Sequence, residues 1–254
     1  MKKLNIMATI KDGIGIGMIN FLSLVLTALL YVVTVWIPYL NVGTTIAMAS
    51  LPAELAKGKV INPLFIFDGK YRKHMGEFFI LMTLMYGAIG VGFMFGGIPA
   101  MVLSIAWSFA AVLFVDKNMN ALEALRESNN MTYGNKWRIF GAEFLTGLAL
   151  GIIVAIIGAI FSIGNIGWLE AIGSIINFAL ILCFVPVLLG VEASIYRQLS
   201  SGEVIDDAPM PNIPGVTPKA EPAPAPEAPK AEEAPKAEEA PKAEKAPKAP
   251  KAEK

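Results

Sequence analysis

Residues 116–143, DKNMNALEALRESNNMTYGNKWRIFGAE, form the longest water-compatible stretch of the chain that is enclosed by two strongly apolar segments. Residues 98–115 precede it, and an apolar run of similar length follows it as far as residue 162. An α-helix of about 20 apolar residues crosses the hydrocarbon core of a bilayer. The stretch therefore predicts a turn at one membrane surface, where one transmembrane helix ends and the next begins.

The composition of the chain is typical of a membrane protein with a separate charged tail. Of its 254 residues, 55% are hydrophobic, and the mean hydropathy is +0.56. The 21 basic and 21 acidic residues cancel, but 13 of the basic and 10 of the acidic ones precede residue 201. The zero net charge is thus the sum of the charges of an apolar body and a charged tail. The chain has no excess of basic residues that would predict a nucleic-acid partner.

The distribution of lysine and arginine predicts the number of membrane spans. The 13 basic residues of the body lie at the N-terminus, in 57–76, in 116–138 and at Arg197, and the links at 39–43, 96–99 and 163–168 contain none. Basic residues are enriched in cytoplasmic loops. We therefore predict an all-α, polytopic protein of the bacterial plasma (inner) membrane, with cytoplasmic N- and C-termini and six transmembrane helices at about 14–38, 40–56, 77–95, 98–115, 137–162 and 168–196.

The second of these segments, 40–56, is the least apolar, because Thr44, Ser50, Pro52 and Glu54 interrupt it. If the chain did not return across the membrane here, the five basic residues of 57–76 would lie outside, against the usual bias. A short span and a re-entrant pair of helices around Pro52 would both return it. We take the span as the prediction.

The polar stretch itself predicts a short helix along the cytoplasmic membrane surface. Asn120 suits the N-cap, Leu122 and Leu125 form an apolar face, and Gly134 suits the left-handed position that ends a helix. Trp137 then anchors the next span at headgroup level. We call this interfacial helix, at about 119–131, and the turn as far as residue 138 the elbow, and we single out in it Leu122, Leu125, Arg126, Ser128, Gly134 and Trp137.

The elbow also carries a motif. It follows the pattern A-L-basic-x-S-x-x-x-T-x-G-x-x-aromatic-basic-x-F, with matches at Ala124, Leu125, Arg126, Ser128, Thr132, Gly134, Trp137, Arg138 and Phe140. In this it resembles a family of uncharacterised bacterial multi-pass inner-membrane proteins related to the membrane domain of some glycerophosphodiester phosphodiesterases. The resemblance implies a similar membrane layout and transfers no activity, because phosphodiesterase chemistry belongs to a separate catalytic domain that we do not expect here.

Three glutamates lie about one turn inside the cytoplasmic ends of predicted spans, namely Glu77, Glu143 and Glu192. Ionisable groups inside a membrane are costly and often functional. One interpretation makes them the lining of a polar vestibule. The other makes them structural ion pairs, of Glu77 with Arg72, of Glu143 with Arg138 and of Glu192 with Arg197.

Two further patterns concern the arrangement of the helices. Residues 70–79 and 136–145 share a basic-aromatic-basic triplet followed by Glu-Phe, at a constant offset of 66, which fits either a parallel duplication or two independent membrane anchors. Asn20 and Asn177 are candidates for hydrogen bonds between spans. Small residues at every fourth position predict close helix packing, at Ala88, Gly92 and Gly96 and at Gly147, Gly151, Ala155 and Ala159.

Residues 200–254 predict a disordered cytoplasmic tail. Pro, Ala, Lys and Glu dominate it, and the hexad EAPKAE occurs three times in series from Glu227. Regular proline prevents a continuous helix, and after Val216 there is no large apolar residue to form a core. The tail is interpreted either as a solvating segment or as an arm that binds a membrane or cytoplasmic protein partner.

The sequence contains no recognisable catalytic, cofactor-binding or metal-binding pattern. His74 and Cys183 are the one histidine and the one cysteine, and neither has companions at the spacing of a metal site or a catalytic nucleophile. We therefore expect a non-enzymatic integral membrane protein, without a cofactor, that supports or binds other envelope components. The alternative is a transporter of a small solute or lipid, built on a parallel repeat, in which Glu77 and Glu143 line a cytoplasmic vestibule.

Overall fold

The computed structural model describes residues 3–163 and 167–202, and these ranges fold into helices without a β-strand. Two 3₁₀ helices, Pro63–Phe67 and Gly69–Arg72, lie in the predicted loop at 57–76. The predicted all-α class is confirmed for these residues, and the predicted tail lies outside them from residue 203 onward. The α-helices are α1 (Ile6–Ile19), α2 (Phe21–Thr34), α3 (Leu40–Ala56), α4 (Met75–Met94), α5 (Ile98–Ala106), α6 (Ala110–Asp116), α7 (Ala121–Thr132), α8 (Lys136–Ser162) and α9 (Gly167–Ser201).

Four helical segments of the described ranges are long and apolar enough to cross a membrane: Met75–Met94, Ile98–Asp116, Lys136–Ser162 and Gly167–Ser201. A fifth candidate is the bent pair α1–α2. The predicted second span forms α3, a helix of 17 residues with Pro52 inside it. Length and composition thus confirm a helical protein with four or five helices able to cross a membrane.

The predicted single helix over 14–38 is wrong, because α1 and α2 meet at an angle of 79° at Asn20. The buried Asn20 side chain binds the segment that follows α3. Its Oδ1 accepts the Ile61 N–H at 3.0 Å, and its Nδ2 donates to the Lys59 carbonyl at 3.4 Å. Buried backbone groups need hydrogen-bond partners, so these two bonds stabilise a bend that hydropathy does not reveal.

The predicted span at 98–115 is also interrupted. Helix α5 ends at Ala106 and α6 begins at Ala110, and the break leaves backbone groups to be satisfied. Ser128 of α7 meets this need, since its Oγ donates to the Ala106 carbonyl at 2.8 Å and accepts the Phe109 N–H at 3.3 Å. The elbow helix therefore supplies hydrogen-bond partners for the backbone groups at the break between α5 and α6.

Helix α7 lies within two residues of the predicted 119–131, and its buried side contains polar residues beside part of the predicted apolar face. The Asn120 side chain caps it by accepting the Glu123 N–H at 2.9 Å, as expected. Leu122, however, is 58% exposed, while Ser128 and Thr132 are fully buried. The buried side of α7 therefore includes Leu125 of the predicted apolar face together with these two hydroxyl groups, of which Ser128 satisfies the α5–α6 break.

Helices α1 and α9 are in close backbone contact. A Cβ atom added to Gly190 would lie 2.1 Å from the Gly13 carbonyl oxygen and 2.8 Å from the Gly17 nitrogen. On the same two helices, Asp12 Oδ2 accepts hydrogen bonds from Arg197 at 2.7 Å and from Ser194 at 2.5 Å. The backbones touch because glycine has no side chain, and the carboxylate ties the two helices together beside that contact.

The two predicted stripes of small residues have different outcomes. In α4, a Cβ added to Gly92 would lie 2.7 Å from the Ala100 nitrogen of α5, so this glycine permits the tight antiparallel contact. In α8, a Cβ added to Gly147 or Gly151 would meet no atom of the described residues within 4 Å. The second stripe does not pack against another part of the described chain.

Candidate functional site

A polar cavity of about 270 Å³ lies between the end of α3, the second 3₁₀ helix and the end of α6. Ligands bind most often in pockets where a few polar groups converge on an otherwise apolar wall. Ile46 and Phe114 form part of the apolar wall here. The polar and charged lining residues are Ser50, Glu54, Lys57, Lys70, Tyr71, His74, Asp116 and Asn118.

Lys57 lies at the centre of an ion-pair network in this cavity. Its ammonium contacts Asp116 and lies 3.4 Å from Glu54, and Glu54 also binds Lys59 at 2.5 Å. The Tyr196 hydroxyl donates to Asp116 at 2.8 Å. Burial lowers the pKa of Lys57, but the hydrogen bond and charge of Asp116 outweigh it and raise that pKa above its usual value. These charges are satisfied by one another, and they tie α3 to α6 and α9.

The hydroxyl groups of the cavity are not arranged for nucleophilic chemistry. Ser50 Oγ donates to the Ala47 carbonyl at 2.6 Å and lies 3.2 Å from the Tyr71 hydroxyl, while the Lys70 ammonium lies 4.7 Å from the Tyr71 ring centre. An activated serine needs a base within hydrogen-bond reach. Within the described residues, no group of three or more His, Cys, Asp or Glu side chains could hold a metal ion. The cavity can hydrogen-bond a small polar group.

Glu77, the first predicted vestibule residue, lies apart from the other two. Its side chain is exposed and lies 3.9 Å from His74. The predicted partner Arg72 packs instead beside α3, where a Cβ atom on Gly43 would come within 2.8 Å of the Arg72 side chain. Glu77 and Arg72 therefore do not form the predicted ion pair.

The other two predicted arginines also bind elsewhere. Arg197 pairs with Asp12, and Arg138 donates to the Leu4 carbonyl at 2.5 Å. Both contacts join segments more than 130 residues apart in the chain. Glu192 and Glu143 therefore do not form the ion pairs with Arg197 and Arg138 that the sequence predicts.

Glu143 and Glu192 lie at the same level of the antiparallel pair α8–α9. The register of this pair is set by Gly158, where an added Cβ would lie 3.0 Å from Asn177 Nδ2. Glu143 lies as many residues before Gly158 as Glu192 lies after Asn177. Neither carboxyl makes a hydrogen bond or an ion pair with any described residue.

An apolar groove of about 400 Å³ between α8 and α9 begins beside these two carboxyls. Gly147 lies one helical turn after Glu143, and Leu188 lies one turn before Glu192. The carboxyls therefore lie at one end of the groove. Its lining residues are Gly147, Leu150, Gly151, Val154 and Ala155 on α8, and Ile181, Phe184, Val185 and Leu188 on α9; we call it the α8–α9 groove.

The elbow residues divide into a buried and an exposed set. Leu125 and Ser128 are buried against the bundle, and Gly134 has φ +80°, as its predicted role at the helix end requires. Arg126 is exposed, and Trp137 is 70% exposed. The buried set is structural, so any binding function of the elbow belongs to the exposed set.

The ion pairs Asp12–Arg197 and Lys57–Asp116 are not apparent from the sequence. A carboxylate beside an apolar run needs a partner, which makes Asp12 and Asp116 noticeable in the sequence. Their partners Arg197 and Tyr196 are far away in the chain, however. No local spacing links them, and only the packing of α9 against α1 and α6 brings them together.

The two segments that share a sequence pattern fold differently. Tyr71 lies in a 3₁₀ helix and is buried, whereas Trp137 lies in the first turn of α8 and is exposed.

Comparisons of the chain with protein-family models, with curated proteins and with solved structures give no match. The site must therefore be interpreted from its own chemistry, and the resemblance of the elbow motif remains an expectation.

Proposed function

We propose that this chain is a non-enzymatic integral protein of the bacterial inner membrane that binds another envelope protein through the α8–α9 groove. The proposed partner is a transmembrane helix with a lysine or arginine that reaches Glu143 and Glu192. The six-span topology with cytoplasmic termini belongs to the same proposal, supported by the absence of Lys and Arg from the links at 39–43, 96–99 and 163–168.

The two carboxyls at one level of α8 and α9, with no ion pair to the described residues, are the observation that carries this proposal. An ionised carboxylate inside a membrane is costly unless a cation or a polar group compensates it. Two such groups at one level of adjacent helices, without an ion pair to any described residue, would add mutual repulsion to that cost. A basic side chain supplied by a partner would offset both the cost of placing the carboxylates in the membrane and their mutual repulsion.

The shape and composition of the groove favour a helix as the occupant. Transmembrane helices associate through small residues, because these let the backbones approach closely. Gly147, Gly151 and Ala155 supply such a surface on α8. Only 6% of the most apolar 18-residue stretch of α8 is buried. A partner helix would pack against the small residues while its basic residue pairs with the carboxyls.

Site-specific photo-crosslinking tests the proposal. A photoreactive amino acid at Ile181, an exposed lining residue of the groove, is introduced into the full chain in cell membranes. We expect the crosslinked peptide to be a transmembrane segment that contains Lys or Arg. The yield should fall by about tenfold or more in the Glu143→Gln/Glu192→Gln variant, since losing a desolvated charge pair costs about 2–5 kcal/mol.

Glu170→Gln is the matched control, because Glu170 is exposed in the first turn of α9, far from the groove lining. It should leave the yield unchanged. Equal yields in the double variant and in the control would refute the proposal. So would adducts made only with lipid, or with segments that lack a basic residue.

The same carboxyl pair supports a second candidate, transport of a small solute or lipid coupled to a proton or cation. Acidic residues at membrane depth often mark such pathways. The hypothesis no longer draws support from a parallel repeat, because the two segments fold differently. Flux in proteoliposomes that depends on Glu143 and Glu192 would favour transport. Absence of flux together with a helix crosslink would favour the docking function.

A further inference from the structure

A second surface, separate from the α8–α9 groove, combines cationic and aromatic side chains. It is a cleft of about 320 Å³ between the N-terminal segment and the start of α8. Its lining residues are Lys3, Tyr133, Gly134, Lys136, Trp137 and Arg138, and we call it the basic cleft. The positions come from two segments that are distant in the chain, so folding is needed to assemble it.

Hydrogen bonds fix the N-terminal segment against the elbow. The Leu4 N–H donates to Asn135 Oδ1 at 3.0 Å, and Arg138 Nη1 donates to the Leu4 carbonyl at 2.5 Å. Leu4 itself is buried in the core. Lys3 is therefore held beside Lys136 and Arg138 by the fold, and three positive charges converge.

The charge of the basic cleft is not neutralised by the protein. No acidic residue lines it, and none of its three cations lies within ion-pair distance of a carboxylate of the described residues. Lys136 donates to the neutral Asn129 Oδ1 at 2.8 Å. By contrast, Lys57 and Lys117 elsewhere on the chain each have a carboxylate partner. The cleft is suited to an anion.

The aromatic residues indicate the depth of the cleft relative to the membrane. Trp137 and Tyr133 are 70% and 66% exposed, and Trp137 lies in the first turn of the 27-residue apolar helix α8. Exposed tryptophan and tyrosine at the end of a spanning helix lie at the headgroup level of the bilayer. An anion at this depth is most readily the phosphate of a lipid.

We propose that the basic cleft binds the phosphate group of an anionic phospholipid. Lysine and arginine make strong charge-assisted hydrogen bonds to phosphate oxygens. Arg138 uses one guanidinium nitrogen to hold Leu4, and its other nitrogens remain to contact the ligand. The two aromatic rings lie against the glycerol and upper acyl region. A soluble phosphate would use the same cations and would gain nothing from the rings.

Native mass spectrometry of the full chain in detergent tests this site. The protein is titrated with phosphatidylglycerol, with zwitterionic phosphatidylcholine and with inorganic phosphate. We expect phosphatidylglycerol to bind at least tenfold more tightly than phosphatidylcholine. The Lys3→Gln/Lys136→Gln variant should lose that preference, whereas Arg138 is retained because it anchors the N-terminal segment.

Lys11→Gln/Lys73→Gln is the matched control, since it removes the same net charge from two exposed lysines outside the basic cleft. The control should keep its affinity within twofold. Equal losses in both double variants would overturn the proposal in favour of general electrostatic attraction. Complete competition by millimolar inorganic phosphate would also overturn it, because the site would then be one for free phosphate. If the double variant does not fold, Lys3→Gln alone should weaken phosphatidylglycerol binding.

Discussion

Replacing Gly190 with alanine is expected to force α1 and α9 apart. The new Cβ would lie 2.1 Å from the Gly13 carbonyl oxygen, where an ordinary contact begins at 3.4 Å. The atom in the way belongs to the backbone, so no side chain can rotate to make room. The two helices must separate locally by about 1.3 Å, the difference between these two distances.

The expected cost has two parts. Forcing a methyl group into a close-packed contact costs about 1–3 kcal/mol. The same displacement would stretch the Asp12–Arg197 contact from 2.7 Å to about 4 Å, beyond hydrogen-bond range. Since Arg197 is more than one-third exposed, that loss adds only about 0.2–1 kcal/mol. The total of about 1–4 kcal/mol would lower the ratio of folded to unfolded protein by about 5-fold to 700-fold.

Denaturant titration of the purified protein in detergent, followed by circular dichroism, measures this effect. Gly90→Ala is the matched control, because a Cβ there meets no described atom within 4 Å and the residue lies inside the spanning helix α4. We expect the control to be neutral or more stable by about 0.5–1 kcal/mol, since alanine favours helix. Unfolding of both variants at the same denaturant concentration would show that the helices are not in backbone contact.

Two further predictions concern the elbow and the topology. Ser128→Ala should destabilise the protein by about 1–3 kcal/mol, because it leaves the buried Phe109 N–H without its partner and the Ala106 carbonyl with only the longer bond from Thr132 at 3.4 Å. Ser104→Ala, which removes an exposed serine bonded within its own helix, should have little effect in the same unfolding assay; equal losses would contradict the assigned role of Ser128. In a Cys183→Ala background, cysteines placed at the exposed Val60 and Tyr133 should react with an impermeant maleimide only after the cytoplasmic side is opened. Labelling of either position from outside intact cells would refute the six-span topology with cytoplasmic termini.

The long helices of this chain are predictable from sequence because their length follows from a single physical requirement. A run that crosses the hydrocarbon core must remain apolar for about 20 residues. The predicted bounds 77–95 and 137–162 accordingly match α4 and α8 within two residues. The ends of the elbow helix are predictable for a local reason, since Asn120 caps it and Gly134 supplies the left-handed turn.

The interruptions in the helices are not predictable from local sequence. At Asn20 and between α5 and α6, the polar backbone groups are satisfied by partners 19 to 41 residues away. Average hydropathy does not register such breaks, because the surrounding residues remain apolar. The same limit applies to the ion pairs, where the sequence offers Glu192 with Arg197 and the fold pairs Arg197 with Asp12. Short spacing predicts which charges could meet, and packing decides which of them do.

Small residues allow close packing at the α1–α9 interface, whereas the small residues of α8 have no packing partner within the described chain. Gly190 and Gly13 meet closely inside the chain, as membrane packing requires. Gly147 and Gly151 are four residues apart, like Gly13 and Gly17, but a Cβ added to either would meet no described atom within 4 Å. Lipid alone gives no reason to place small residues on a helix surface, since larger apolar side chains would suit it equally well. Because the carboxyls of Glu143 and Glu192 lie at the end of the same surface, the proposed partner helix with a basic residue would account for both features at once.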